Sequence, residues 1–180
     1  MGSDTAHAFF RFRKATEREA PLLTELEQSA GLAFRADAEI AWVADGHNLS
    51  PERYREIIND GWSWVAEGEH GELIAFIAAT REGDDLHIWE FDVRLDCQRR
   101  GIGRRLLQRL IAEATAAGIS SITLTTFRDV PWNGPFYLSM GFEALASEKL
   151  DARLSELLAA EIDQGLPAAR RCAMRKVLQA

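Results

Sequence analysis

The spacing of apolar residues along this chain switches between two and three-to-four positions, and each switch predicts a change of element. Phe9 to Lys14 alternates as a strand does. Thr16 followed by Glu19 has the form of a capping box and opens a helix through Leu22, Leu23 and Leu26. Gly31 to Asn48 mixes charges with isolated aromatics, and Ser50-Pro51-Glu52-Arg53 starts a second helix that stops near Gly61. Trp62 to Ala66, Leu73 to Thr80 and Leu86 to Leu95 are three β-rich runs. Turn residues at Glu67 to Gly71 and at Glu82 to Asp85 separate them, which predicts an antiparallel meander.

From Arg104 the period becomes helical: Leu106, Leu107, Leu110, Ile111 and Ala114 share one face, with Arg105, Gln108, Arg109 and Glu113 around the other side. Gly118 is placed to stop this helix, and Ile119 to Phe127 reads as a strand, so strand, helix and strand form a crossover. Asp129 to Gly141 holds a short helix, and Phe142 to Leu145 begins a further strand. Leu150 to Ile162 is helical by Leu154, Leu157, Leu158 and Ile162, and Arg171 to Leu178 closes the chain as a strand. A length of 180 residues with 47% hydrophobic content fits a single α/β domain over residues 1–180.

Charge and cysteine usage narrow the partners. A formal net charge of −7 argues against nucleic acid, which needs a basic face, and favours a small neutral or cationic ligand. Cys97 and Cys172 have no Cys-x-x-Cys spacing, and His7, His47, His70 and His87 are scattered, so no metal is expected. No stretch approaches the roughly 18 apolar residues of a membrane helix and the start lacks an apolar signal core, so a cytoplasmic protein with no membrane partner is expected.

The stretch with the most chemistry is Val93 to Gly103, a strand that turns straight into the amphipathic helix. A helix start leaves backbone N–H groups unpaired and carries partial positive charge, so it suits a diphosphate. Gly101 and Gly103 let the backbone come close, and Arg99, Arg100 and Arg104 add charge. The plain alternative is a glycine-relieved turn before a basic helix. A Walker loop is absent, and a dinucleotide fingerprint fails because its third glycine position holds Leu106.

Gln98, Gly101 and Gly103 match the Gln/Arg-x-x-Gly-x-Gly/Ala signature, and the chain thereby resembles the GCN5-related N-acetyltransferases. The order of elements is similar to that family over about residues 9–145, and Tyr137-Leu138-Ser139-Met140-Gly141-Phe142 looks like its Tyr-x-x-x-Gly-Phe ending. The resemblance implies a mixed, mostly antiparallel sheet of six to seven strands with helices on both faces. Residues 146–180 then supply an inserted helix and a closing strand. It also implies acetyl-CoA as cosubstrate and a primary amine, of a small molecule, an amino-acid derivative or a peptide, as acceptor. The expected cosubstrate contacts are Phe91, Val93, Gln98, Arg99, Arg100, Gly101, Ile102, Gly103, Arg104, Asn133 and Tyr137.

Many members carry an asparagine seven residues before that tyrosine. This chain has Val130 there and Asn133 four residues before Tyr137, where Asn133 serves either the pantetheine arm or the helix N-cap. An alkyl amine is protonated near neutrality, so a base is needed. Glu90, between Trp89 and Phe91, is the expected base, with His87 as its competitor on the same strand. A backbone N–H between Phe91 and Val93 is assigned to the developing oxyanion and Tyr137 to the departing sulfur; a core tyrosine beside Phe136 is the plainer reading of Tyr137. Phe34, Arg35, Trp42, Asp45, His47, Tyr54, Trp62 and Trp64 offer aromatic and charged groups on the acceptor side. Two other readings of the same fold stand beside the enzyme: a non-catalytic acyl-CoA sensor, and an interaction module docking through the 150–162 helix. A homodimer is compatible with the sequence.

Overall fold

The computed structural model describes residues 10–46 and 48–179. Phe9, the expected start of the first strand, and His7 and His47 lie outside them. The chain divides into two compact units, one formed by residues 1–78 and 90–110, the other by 79–89 and 111–180. Seven strands follow the order β1-β2-β3-β4-β5-β7-β6.

In the first unit, β1 (Arg11–Lys14) pairs antiparallel with β2 (Trp64–Glu67), and β2 pairs antiparallel with β3 (Leu73–Glu82). The capping box forms as the spacing predicts: the Thr16 backbone N–H donates to Glu19 Oε2 at 2.8 Å. It opens a short 3-10 turn, Glu17–Glu19, and helix α1 (Ala20–Gly31) follows with Pro21 in its first turn, where a missing N–H costs nothing. The charged stretch after α1 is more ordered than its composition suggests, with 3-10 turns at Leu32–Ala36 and Ala41–Asp45. Helix α2 (Pro51–Asn59) starts under a true N-cap, Ser50 Oγ accepting from the Arg53 N–H at 3.2 Å. Leu23, Leu26, Ile40, Tyr54, Ile57 and Phe76 are buried here, with the Tyr54 and Phe76 rings edge to face at 5.5 Å.

Strand β4 (Asp85–Val93) lends its last four residues to this unit and then turns through a 3-10 segment, Leu95–Cys97, into helix α3 (Ile102–Ala116). The expected strand thus ends two residues early, because Leu95 already belongs to the turn. Helix α3 starts two residues before the apolar periodicity makes it visible, since Gly103 is an unremarkable helix letter.

The second unit holds the parallel pairing of β4 with β5 (Ser121–Phe127), registered from Asp85 against Ser121 to Ile88 against Leu124. Helix α3 ends as predicted: Gly118, at φ +72°, donates to the Thr115 carbonyl, and Ile119 donates to the Ala114 carbonyl, both at 3.0 Å. That closure consumes Ile119, so β5 begins at Ser121. Helix α4 (Gly134–Ser139), strand β6 (Glu143–Ala144), helix α5 (Ala152–Asp163) and strand β7 (Arg171–Val177) follow. Strand β7 pairs antiparallel with both β5 and β6, which makes the sheet mixed but mostly antiparallel. Leu86, Ile122, Phe142 and Leu154 are buried in this unit.

Candidate active site

The turn between β4 and α3 is built by two residues of left-handed backbone. Arg99 has φ +61° and is the one non-glycine residue with positive φ among the described residues, while Gly101 follows at +77°. A non-glycine in that region costs about 1 kcal/mol or more, and such residues persist where the surroundings fix them. Gln98 supplies one fixing contact: its Nε2 donates to the Val93 carbonyl at 3.0 Å, tying the turn to the end of β4. The glycines serve different purposes. A Cβ on Gly103 would stand 3.3 Å from Phe91 Cζ and from Val93 Cγ2, so this glycine lets α3 lie close on the strand. A Cβ on Gly101 would meet nothing within 4 Å, so its neighbourhood is open and its glycine is required by φ alone. Arg99, Arg100, Gly101 and Arg104 are exposed, whereas the Ile102 side chain is buried, so only its backbone N–H faces outward chemistry.

Strand β4 presents two faces. Phe91 and Val93 lie towards Gly103 of α3, and alternation places Glu90 and Asp92 on the opposite face. On that side Tyr54 of α2 donates its hydroxyl to Glu27 Oε2 at 2.6 Å, and the Leu49 N–H donates to the same oxygen at 3.1 Å. Burial pushes the Glu27 carboxyl up to about 7 and holds the Asp92 carboxyl well above its usual range, with the Glu27 charge adding to the latter. Asp92 Oδ2 is buried with no hydrogen-bond partner among the described residues, a setting in which a charge is costly. Burial, then the charges of Glu90, Glu27 and Asp92, raises the Tyr54 phenol far above its ordinary value. The sequence reading passed over Glu27 and Asp92. Asp92 was within reach of it, two positions after Glu90 on one strand; nothing in the sequence joins Glu27 to a tyrosine 27 residues away.

His87 lies in the second unit and is 2% exposed. Its Nδ1 is 3.0 Å from Thr123 Oγ1, its ring meets Trp89 edge-on at 4.8 Å, and burial together with the Arg153 charge lowers its pKa to about 3. Tyr137 is also buried, on α4, where the Tyr-x-x-x-Gly-Phe motif proves to be a helix stop. Gly141, at φ +82°, donates to the Leu138 carbonyl, Phe142 donates to the Tyr137 carbonyl at 3.1 Å, and the Tyr137 and Phe142 rings touch at 5.5 Å. Asn133 occupies the N-cap position of α4, but its side chain makes no capping bond. Gly134 is forced by packing, since a Cβ there would press into the Arg128 carbonyl.

Of the acceptor-side residues expected from the sequence, Tyr54 is wholly buried and Arg35 pairs with Asp45 at 2.9 Å. The Lys14 Nζ lies 5.1 Å from the centre of the Trp62 ring and 4.5 Å from that of Trp64. Trp42 is exposed. A cleft of about 420 Å³ opens beside the end of α1, lined by Glu25, Gln28, Ser29, Leu32 and Asp45 among others. No helix among the described residues is long and apolar enough to cross a membrane, and none of their His, Cys, Asp and Glu side chains form a group of three suited to a metal.

Solved structures of similar fold include N-acetyltransferases. A PaiA N-acetyltransferase from Thermoplasma acidophilum, in complex with coenzyme A, aligns over 94% of this chain and 99% of its own at TM-score 0.69 and 17% identity. The ribosomal-protein-S18-alanine N-acetyltransferase from Escherichia coli aligns over 96% of each chain at TM-score 0.67 and 18% identity. The N-acetylglutamate synthase of Neisseria gonorrhoeae, complexed with coenzyme A and N-acetyl-glutamate, aligns at TM-score 0.70 and 20% identity over 97% of this chain but 36% of its own. At such identities these likenesses establish the fold. The family itself is established by sequence: the model of the acetyltransferase (GNAT) family matches residues 24–142, well over half the chain, and this protein belongs to that family.

Proposed function

We propose that this protein transfers the acetyl group of acetyl-CoA to a primary amine of a small molecule, an amino-acid derivative or a peptide, with Glu90 taking the amine proton. The observation that carries the reading is the turn at residues 98–103. Left-handed backbone at Arg99 and Gly101, an open space beside Gly101 and the start of a 15-residue helix together form a cradle for a diphosphate. Arg99, Arg100 and Arg104 are exposed and supply charge at its rim, while Gln98 holds the turn against Val93 and Ile102 and Gly103 contribute backbone N–H groups. Phe91 and Val93 are committed by their side chains to packing under Gly103, so their part is a backbone one. Acetyl-CoA bound there supplies the activated acyl carbon.

One observation favours Glu90 over His87 as the base, and a second favours it over Asp92. His87 is 2% exposed and its Nδ1 is held at Thr123 Oγ1, so its ring is closed off from an incoming amine. Asp92, the other carboxyl on the Glu90 face, is pushed towards its protonated form by burial and the Glu27 charge, which makes it the weaker candidate. Tyr137 is assigned delivery of a proton to the leaving sulfur, and the Asn133 amide, unused as a cap, is assigned to the pantetheine arm.

Free-thiol release from acetyl-CoA, screened over amines and short peptides, tests the function and finds the acceptor together. Glu90→Gln should lower turnover by roughly 100-fold or more while coenzyme A affinity stays near normal. Unchanged turnover removes Glu90 from the mechanism, and a protein that neither binds coenzyme A nor releases thiol removes the function.

A further inference from the structure

The second unit contains two arginines with buried donors that no group among the described residues accepts. Arg153, on α5, spends Nη2 on Thr123 Oγ1 at 3.2 Å, but its Nη1 is buried without a partner. Arg175, on β7, has its Nε buried without a partner as well. The nearest carboxylate answers neither: Asp151 Oδ2 lies 3.6 Å from Arg175 Nη2, beyond hydrogen-bond range, and its other oxygen caps α5 by accepting from the Leu154 N–H at 2.8 Å. Glu143 stands opposite Arg175 in register but is exposed.

The neighbouring groups deepen the imbalance. His87, Thr123 and Arg175 are register partners across β4, β5 and β7, so their side chains form one row on one face of the sheet. Thr123 donates to the Leu86 carbonyl at 3.2 Å, which leaves its oxygen to accept from Arg153 and from the Nδ1–H of His87. Burial and the Arg153 charge favour the neutral ring, in which the second nitrogen is an acceptor. The cluster holds two fixed cations against one half-exposed carboxylate, and two of its N–H donors lack an oxygen.

We propose that Arg153 and Arg175 bind the carboxylate of a small organic acid. A carboxylate brings one negative charge and two acceptor oxygens, one for Arg153 Nη1 and one for Arg175 Nε, and its bonds to guanidinium donors are charge-assisted. Access comes from the Arg175 side, where 28% of the side chain is exposed and Asp151 makes a loose contact. The acid is either the acceptor amine itself, carrying a carboxylate, or a separate acid with no amine. This site is read by binding alone and does not depend on acetyl transfer.

The full chain is titrated by calorimetry with acetate, glutarate, glycine and glutamate, with ethylamine and sodium chloride at equal ionic strength as controls. Saturable binding of at least one carboxylate is expected, absent with ethylamine and chloride. It should weaken about tenfold in Arg153→Lys and Arg175→Gln, and the ring NMR signals of His87 should move with the same titration. Asp151→Asn keeps a good N-cap and releases Arg175, so it should fold and bind the carboxylate about threefold more tightly. Turnover of the bound glycine or glutamate identifies the acid as acceptor, and binding of glutarate without any amino-acid turnover identifies a separate acid. No saturable response, an equal response to chloride, or a crystal grown with glutarate that shows only ordered water at both donors overturns the proposal.

Discussion

The two motifs that tie this chain to its family differ in how far the chain accounts for them. At Tyr137 to Phe142 every conspicuous letter is used internally. Gly141 takes the left-handed conformation that stops α4, and Phe142 returns an N–H to the Tyr137 carbonyl and a ring to the Tyr137 ring. At Gln98 to Gly103, Gln98, Ile102 and Gly103 are used in this way. Arg99 sits in left-handed backbone at a cost, and Gly101 borders open space. Packing accounts for the Tyr137 ring and carbonyl but not for the hydroxyl assigned to the leaving sulfur, whereas the strained, open turn at a helix start is the stronger sign of something outside the chain.

Substitutions should separate the two motifs, beginning with the largest effect. Phe142→Ala empties a fully buried ring site and should cost about 4 kcal/mol in a urea unfolding experiment. Coenzyme A affinity measured under native conditions should fall far less than stability does. Gly101→Asp should do the reverse, lowering coenzyme A affinity by roughly 100-fold in calorimetry while costing about 1 kcal/mol of stability. Retained affinity would mean that the open turn does not hold the phosphates.

A third test concerns the closed face behind β4. The folded chain keeps a proton on Glu27 up to about pH 7, whereas an unfolded chain has lost it above about 4.5. The folded state therefore binds more protons across that window, so stability falls as pH rises from about 4.5 to 7 and levels off beyond. Glu27→Gln still accepts from Tyr54 and should remove about 3 kcal/mol of this pH dependence across the window, seen in denaturant midpoints at several pH values. The smallest effects are the most discriminating. Arg99→Gly should raise stability by about 1 kcal/mol and weaken coenzyme A severalfold, while Gly141→Ala should lower stability by about 1 kcal/mol and leave affinity unchanged.

Much of the fold was legible because its signals are local. The Thr16 and Glu19 box, the Ser50 cap, the Gly118 stop and the apolar stripe of α3 each act within a few residues, so periodicity and punctuation were enough to find them. The 3-10 turns after α1 were missed because they are too short to show a period. Strand ends slipped where a closure took the next residue, as Ile119 did after Gly118.

The sequence by itself determined the order of elements, the strand-to-helix turn at residue 101 and the glycines that make that turn possible, because these depend on neighbours along the chain. Only the tertiary structure decided that His87 is buried and neutral, that Asp92 and Glu27 are pushed towards their protonated forms, and that Arg153 and Arg175 keep donors without acceptors. Each of those outcomes is set by desolvation and by charges brought in from distant segments. A linear reading can name such a side chain, but its protonation and its partners depend on what packing removes from water.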